Sequence, residues 1–167
     1  MRKIMDYILP TPITNHYQGH SLAKWVFVLI TIVTIIRSII HIVALDGGAQ
    51  SIATIPLQLY SSAASDTIIM LFALWGLSQL LVGLMFVVVL FRYQALIPVM
   101  YGLLIIEYTT RILIGVMKPI ETVGTAPGGV ANYVIVPVAL LMFIMSLRQS
   151  ELPKSEKKTS IIQHNLF

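Results

Sequence analysis

The sequence predicts an all-α, polytopic membrane protein, a bundle of four transmembrane helices, and three observations lead there. Apolar residues make up 57% of the 167 positions and charged residues 11%, against about half and about a quarter in a soluble domain. A surface of this size in water needs more charge than that. The apolar residues are also gathered into four segments of about 18–25 residues, each enough to cross a hydrocarbon core about 30 Å thick. Spanning strands need only about 9–11 residues and alternate in polarity, which these segments do not.

The elements follow in order. Residues 1–21 open with Arg2 and Lys3, place Ile4, Met5, Ile8 and Leu9 at roughly helical spacing, and reach Pro10 and Pro12. They read as a cytoplasmic, interfacial segment, and the apolar stretch that follows is too long for the core of a signal peptide. The first span covers 22–45 and is closed by Asp46, Gly47 and Gly48. The second covers 67–91, with Asp66 as the expected N-cap and Arg92 and Tyr93 beyond it. The third covers 95–117 and stops before Lys118 and Pro119; the fourth covers 130–147, after Pro127, Gly128 and Gly129 and before Arg148. Pro98 and Pro137 fall inside these spans, where neighbouring helices can satisfy the freed carbonyls. The transmembrane domain is thus 22–148, and 149–167 is a polar cytoplasmic tail.

Orientation comes from Lys and Arg. Arg2, Lys3, Lys24, Arg92, Arg148, Lys154, Lys157 and Lys158 fall on one side and Lys118 alone on the other. The positive-inside rule then places both termini in the cytoplasm of a multi-pass protein of the cell (inner) membrane. Trp25, Tyr93 and Tyr133 suit an interfacial aromatic belt. The first outer loop carries Ile52, Ile55, Leu57, Leu59 and Tyr60, which predicts a segment lying on the membrane surface, the alternative being a lid over the bundle.

The residues that do not belong in hydrocarbon indicate where function resides. Thr31, Thr34, Arg37, Ser38 and His41 share an arc of about 120° on the first helix. Gly76, Gln79 and Gly83 share a face of the second, where small residues let a neighbouring backbone approach. Glu107 and Arg111 lie one turn apart on the third. Counted from the outer helix ends, Arg37 is about 12 Å deep and Glu107 about 14 Å, His41 about 6 Å and Arg111 about 8 Å. An unpaired charge near mid-bilayer costs roughly 2.5–3.5 kcal/mol, so pairing is expected. Matching the depths predicts an Arg37–Glu107 ion pair between the first and third helices, with Arg111 left over beside His41.

An outward-facing, net-positive intramembrane pocket follows, centred on Arg37, His41, Glu107 and Arg111 and rimmed by Tyr108, Asn132 and Tyr133. It suits a small anionic or amphiphilic ligand such as a carboxylate, a phosphate, a quinone carbonyl or a lipid head, because a guanidinium fork meets two oxygens at once. Thr34, Ser38 and Gln79 read as structural polar groups that fix helix packing. A binder, transporter or sensor is the leading expectation. The alternatives are an accessory subunit held by membrane-protein partners or by its own copies, and a membrane enzyme acting on a lipid or quinone.

Other chemistries lack their parts. There is no cysteine, which removes thiolate metal sites and thiol catalysis. His41 is the one histidine within a span, whereas catalytic zinc wants three ligands. Ser38, His41 and Glu107 come without a nucleophile elbow or oxyanion motif, so no catalytic residue is assigned. The positive charge sits at helix ends and in the tail, which does not suggest nucleic acid.

Arg37 in the first helix and the Gly-containing outer loop are followed by a Gly-rich run of Trp75, Gly76, Leu77, Ser78, Gln79, Leu80, Leu81, Val82, Gly83 and Leu84, then by the basic turn at Arg92. Together they resemble the DoxX-like superfamily of small four-helix membrane proteins over about residues 22–148. The resemblance implies an accessory or membrane subunit of a redox system, sometimes linked to quinone.

Overall fold

The structure is a computed structural model that describes residues 8–10 and 12–147. Arg2, Lys3, Ile4, Met5, Arg148 and the tail with Lys154, Lys157 and Lys158 lie outside the described residues. Four helices long and apolar enough to cross a membrane follow one another: α1 (Ser21–Val43), α2 (Ser62–Arg92), α3 (Ile97–Met117) and α4 (Pro127–Ser146). No strand occurs among the described residues. The protein is a multi-pass, four-helix membrane bundle. The end bearing residues 44–61 and 118–126 is called upper below, and the end bearing residues 93–96 lower.

The starts of α2, α3 and α4 differ from the expected ones, the first through a serine cap and the other two with a proline in the first turn. The Ser61 hydroxyl accepts from the Ala64 N–H at 3.3 Å, so α2 starts before the apolar run and Asp66 lies inside it rather than capping it. Ser65 donates to the Leu57 carbonyl at 3.0 Å and Thr67 to the Ala63 carbonyl at 2.8 Å, which absorbs these polar residues into the first turns. Pro98 sits in the first turn of α3, where its missing N–H has no helical partner to lose. Pro127 opens α4, so Gly128 and Gly129 belong to that helix and do not precede it. Pro137 is inside α4, as expected.

Small residues bring α1 and α2 together. A Cβ at Gly76 would stand 2.7 Å from the Cβ of His41 and 3.0 Å from the Ser38 carbonyl, and one at Gly83 would stand 2.9 Å from Ile35 Cγ1. On α1, the buried residues Ala23, Phe27, Thr31, Thr34, Ser38 and His41 recur every three or four positions. Two of the hydroxyls are satisfied by their own helix, Thr31 donating to the Phe27 carbonyl at 2.8 Å and Ser38 to the Thr34 carbonyl at 2.6 Å. The polar stripe therefore faces inward, as the sequence predicts.

The apolar core lies in the lower half, where Phe27, Phe86, Ile97, Met100, Tyr101, Leu104, Ala139 and Met142 pack together. The Tyr101 hydroxyl crosses it to donate to the Ala23 carbonyl at 2.6 Å. Residues ahead of α1 strap this end. Asn15 donates to the Phe91 carbonyl at 3.0 Å, the Thr14 carbonyl accepts from Ala95 at 3.3 Å, and the His20 N–H reaches the Met145 carbonyl at 3.1 Å. Burial in the strap pushes the Tyr17 hydroxyl up to about 12, keeping it a donor to the His20 carbonyl.

The upper half is different. No residue from Thr109 to Val138 is buried, and the α3–α4 pair adds only partly buried side chains such as Ile135 and Val136 to the core there. Arg111 of α3, which lies against the Trp75 ring of α2, and the loops link the two pairs there. The first loop folds onto the bundle instead of lying on the membrane surface: Ala49, Ile55 and Leu57 are buried and pack with Ile68, Ile69 and Phe72. Gly47 and Gly48 turn it with φ of 59° and 75°, backbone angles costly for other residues. Thr54 then joins it to the second upper loop, donating to the Gly124 carbonyl at 2.9 Å and accepting from the Val123 N–H at 3.0 Å.

Asp46 holds the turn, accepting from the N–H groups of Gly48 at 2.9 Å, Gln50 at 3.1 Å and Ser51 at 2.6 Å. Partial burial raises the affinity of this carboxyl for a proton, but the backbone hydrogen bonds outweigh it and the pKa is lowered. A lowered folded-state value means the stabilisation is present above the unfolded carboxylate value of about 4 and is lost as pH falls through the folded one. Protection of the Gly48, Gln50 and Ser51 amides from exchange, relative to their intrinsic rates, is therefore expected to fall selectively on acidification below about pH 4. Asp46→Ala is expected to accelerate their exchange about five- to tenfold at neutral pH, about 1 kcal/mol of hydrogen bonding.

Candidate functional site

Four polar side chains from three helices meet where the two helix pairs part. Arg37 of α1 donates through Nη2 to Gln79 Oε1 at 3.1 Å, and Gln79 of α2 donates through Nε2 to Glu107 Oε1 at 3.0 Å. Arg111, one turn beyond Glu107 on α3, donates to the same oxygen through Nε at 3.1 Å and again through Nη2. Three donors thus converge on Glu107 Oε1, and Oε2 receives none from the described residues. Arg111–Glu107 is the one ion pair among them.

This is a different pairing from the one that depth predicts. Glu107 takes Arg111 rather than Arg37, and Gln79 separates Arg37 from the carboxylate while linking the two. The reason is local: residues four apart on a helix are already neighbours, whereas an Arg37–Glu107 contact would need α1 and α3 to close over the Gln79 side chain. The surplus positive charge therefore belongs to Arg37. Its Nε is buried without a hydrogen-bond partner among the described residues, a costly state for a charged donor.

Trp75, which in the sequence is only the first member of a Gly-rich run, is the floor of the cluster. The Arg37 guanidinium lies 5.3 Å from its ring centroid and that of Arg111 5.0 Å, with Arg111 also 5.1 Å from the ring of Tyr108. An indole face attracts a guanidinium, so one ring shared by two such groups offsets part of their repulsion. The spacing from Gln79 was the available signal: one helical turn puts Trp75 on the same face. His41 packs at a tilt against Trp75 and Phe72, 4.8 Å and 5.8 Å away between centroids. Its Nδ1 meets the Gly47 carbonyl at 2.7 Å. A carbonyl only accepts, so Nδ1 carries the proton. His41 thus ties the loop to the helix and shares Trp75 with Arg111.

The chain matches no family model, no curated protein and no solved structure. The site must be read from its own geometry. Of the expected rim, Tyr108 is in place and buried, whereas Tyr133 is 64% exposed, and neither it nor half-buried Asn132 hydrogen-bonds to a described residue. Both lie on the stretch of α4 that has no buried residue. Among the described residues no three His, Asp or Glu side chains gather, so the chemistry on offer is guanidinium, carboxylate and amide. The formal charge of Arg37, Arg111 and Glu107 together is one positive unit. Glu107 and Arg111 remain 29% and 18% exposed along the side chain, which leaves the cluster reachable.

Proposed function

We propose that the protein binds a small anionic or amphiphilic molecule at the Arg37 cluster, from a multi-pass position in the cell membrane with both termini cytoplasmic. One observation carries this reading: a guanidinium within a membrane span is held by a neutral amide, while the one carboxylate near it among the described residues is engaged by another arginine. Arg37 keeps its Nε without an acceptor among the described residues, and an incoming carboxylate or phosphate supplies the guanidinium with an acceptor and the missing negative charge. The remaining face of Glu107 accepts any hydroxyl or amine next to the anionic group. A quinone carbonyl, to which the DoxX-like resemblance points, is the neutral variant of the same recognition.

A second reading, that of an accessory subunit, draws on the upper half of α3 and α4, where nothing from Thr109 to Val138 is buried within the chain. A partner subunit covering that surface would leave it buried in a complex. Native mass spectrometry of gently extracted protein separates the two, since a bound small molecule and a bound subunit differ in mass.

Thermal unfolding of the purified protein tests the first reading directly. A ligand of the right class at a hundredfold excess over Kd adds about 2.7 kcal/mol of stability. Arg37→Gln is expected to weaken that ligand about ten- to a hundredfold, the equivalent of about 1.5–3 kcal/mol for charge-assisted hydrogen bonds. Arg92→Gln, at the exposed lower end of α2, is expected to leave it unchanged. Equal stabilisation of the Arg37→Gln protein and the parent would remove Arg37 from the site.

A further inference from the structure

We infer that the occupant is an anionic amphiphile dissolved in the bilayer, and that it reaches the site sideways, between the α1–α2 and α3–α4 pairs. The inference rests on the reading of the Arg37 cluster as an anion site and adds what the anion is attached to and where it comes from.

The two water-facing routes are filled. Above the cluster, the first loop is packed by Ala49, Ile55 and Leu57 onto α2, and Thr54 fastens it to Val123 and Gly124 of the second loop. Beneath that roof, Gly48 lies so close to the His41 ring that a Cβ there would stand 2.9 Å from Nδ1. Below the cluster, Phe27, Phe86, Tyr101, Leu104 and Met142 form a continuous apolar plug.

The flank is open. On α3 burial ends at Tyr108, one residue beyond Glu107, and on α4 it begins only at Ala139. The partly exposed sides of Glu107 and Arg111 therefore lie at the level where the pairs part. Ile114, on the same face of α3 as Glu107 and Arg111, is exposed. A free anion does not cross hydrocarbon to reach such a place, because its charge would be desolvated on the way. An anionic head carried on an acyl chain does reach it: the chain lies against the apolar flank and the head turns inward to Arg37. The net positive charge of the cluster matches a head with one negative charge.

The chain offers two means of testing this. Its tryptophans are Trp25 and Trp75, so Trp25→Phe leaves the cluster's own indole as the chain's one tryptophan, excited selectively over tyrosine at the red edge. It has no cysteine, and Thr54 Cβ lies 3.9 Å from where a Cβ would stand on Gly124, within the span of about 3.5–4.5 Å that a disulfide bridges. Thr54→Cys with Gly124→Cys therefore locks the roof.

The full chain carrying Trp25→Phe, in nanodiscs of phosphatidylcholine, is titrated with oleate, with oleyl alcohol and with propionate. Oleate is expected to shift Trp75 fluorescence saturably, with the response at least tenfold weaker for the other two and for Arg37→Gln, and unchanged by the oxidised cysteine pair. Propionate acting as well as oleate, or the locked roof abolishing the oleate response, overturns the sideways amphiphile while leaving an anion site in place. Oleyl alcohol matching oleate, or oleate acting equally on Arg37→Gln, overturns the anion site itself and the inference with it.

Discussion

Glu107→Gln is expected to destabilise the folded protein in detergent by about 2.5–3.5 kcal/mol, the scale of one uncompensated charge in a membrane span. The substitution keeps the shape and an oxygen where Arg111 and Gln79 donate, but it removes the only carboxylate of the cluster. Two guanidiniums then share the Trp75 face with no counter-charge. Breaking a pair by deleting one partner is costly for this reason, whereas deleting both partners in favour of apolar groups is often close to neutral. Glu107→Leu combined with Arg111→Leu is therefore expected to recover most of the loss. Glu107→Leu combined with Arg37→Leu is expected to recover little, because Arg111 would remain without its acceptor. Thermal or denaturant unfolding followed by circular dichroism distinguishes these doubles. Recovery by the Arg37 double instead of the Arg111 double would show that the ion pair runs between helices after all.

That contrast marks where reading the sequence succeeds and where it stops. Span number and the inward face of α1 are legible because both follow from one-dimensional rules: hydrocarbon thickness fixes segment length, and the 3.6-residue period places Thr31, Thr34, Ser38 and His41 together. The Gly76–Gln79–Gly83 face is legible for the same reason, and those glycines do meet α1. Helix starts are less so, since an apolar count does not register that Ser61 caps α2 or that Pro127 opens α4. Partner choice is not legible from depth alone. Arg37 and Glu107 lie at similar levels, but level says nothing about which helix stands between them, and α2 places Gln79 there. Trp75 was hidden by its hydrophobicity, although its role depends on the ring face. The parting of the helix pairs above Tyr108 leaves no sequence trace, because lipid-facing and cleft-facing apolar residues look alike. It also removes Tyr133 from the rim on which its depth would place it.

Gly76→Leu is expected to cost about 3 kcal/mol, the upper part of the range for overfilling a packed contact. A Cβ at this position would meet His41 Cβ at 2.7 Å, the Ser38 carbonyl at 3.0 Å and Ile42 Cγ1 at 3.3 Å. The first two are an atom fixed to the backbone and a backbone oxygen, so no rotamer change relieves them and α1 must move off α2. Gly102 provides the comparison on α3, since a Cβ there meets nothing within 4 Å. Gly102→Ala is expected to be neutral or to stabilise by up to about 1 kcal/mol through helix propensity. The Gly76 effect also reaches the site. Arg37 and Gln79 are held 3.1 Å apart by the same helix contact, one turn from Gly76, and their hydrogen bond weakens steeply with small displacements. Gly76→Ala, which moves the helices less, is thus expected to loosen anion binding although it leaves every charged residue in place. Oleate titration of the Trp75 reporter in that background measures it. An unaltered response alongside a lowered unfolding temperature would mean that the α1–α2 contact supports the fold without positioning Arg37.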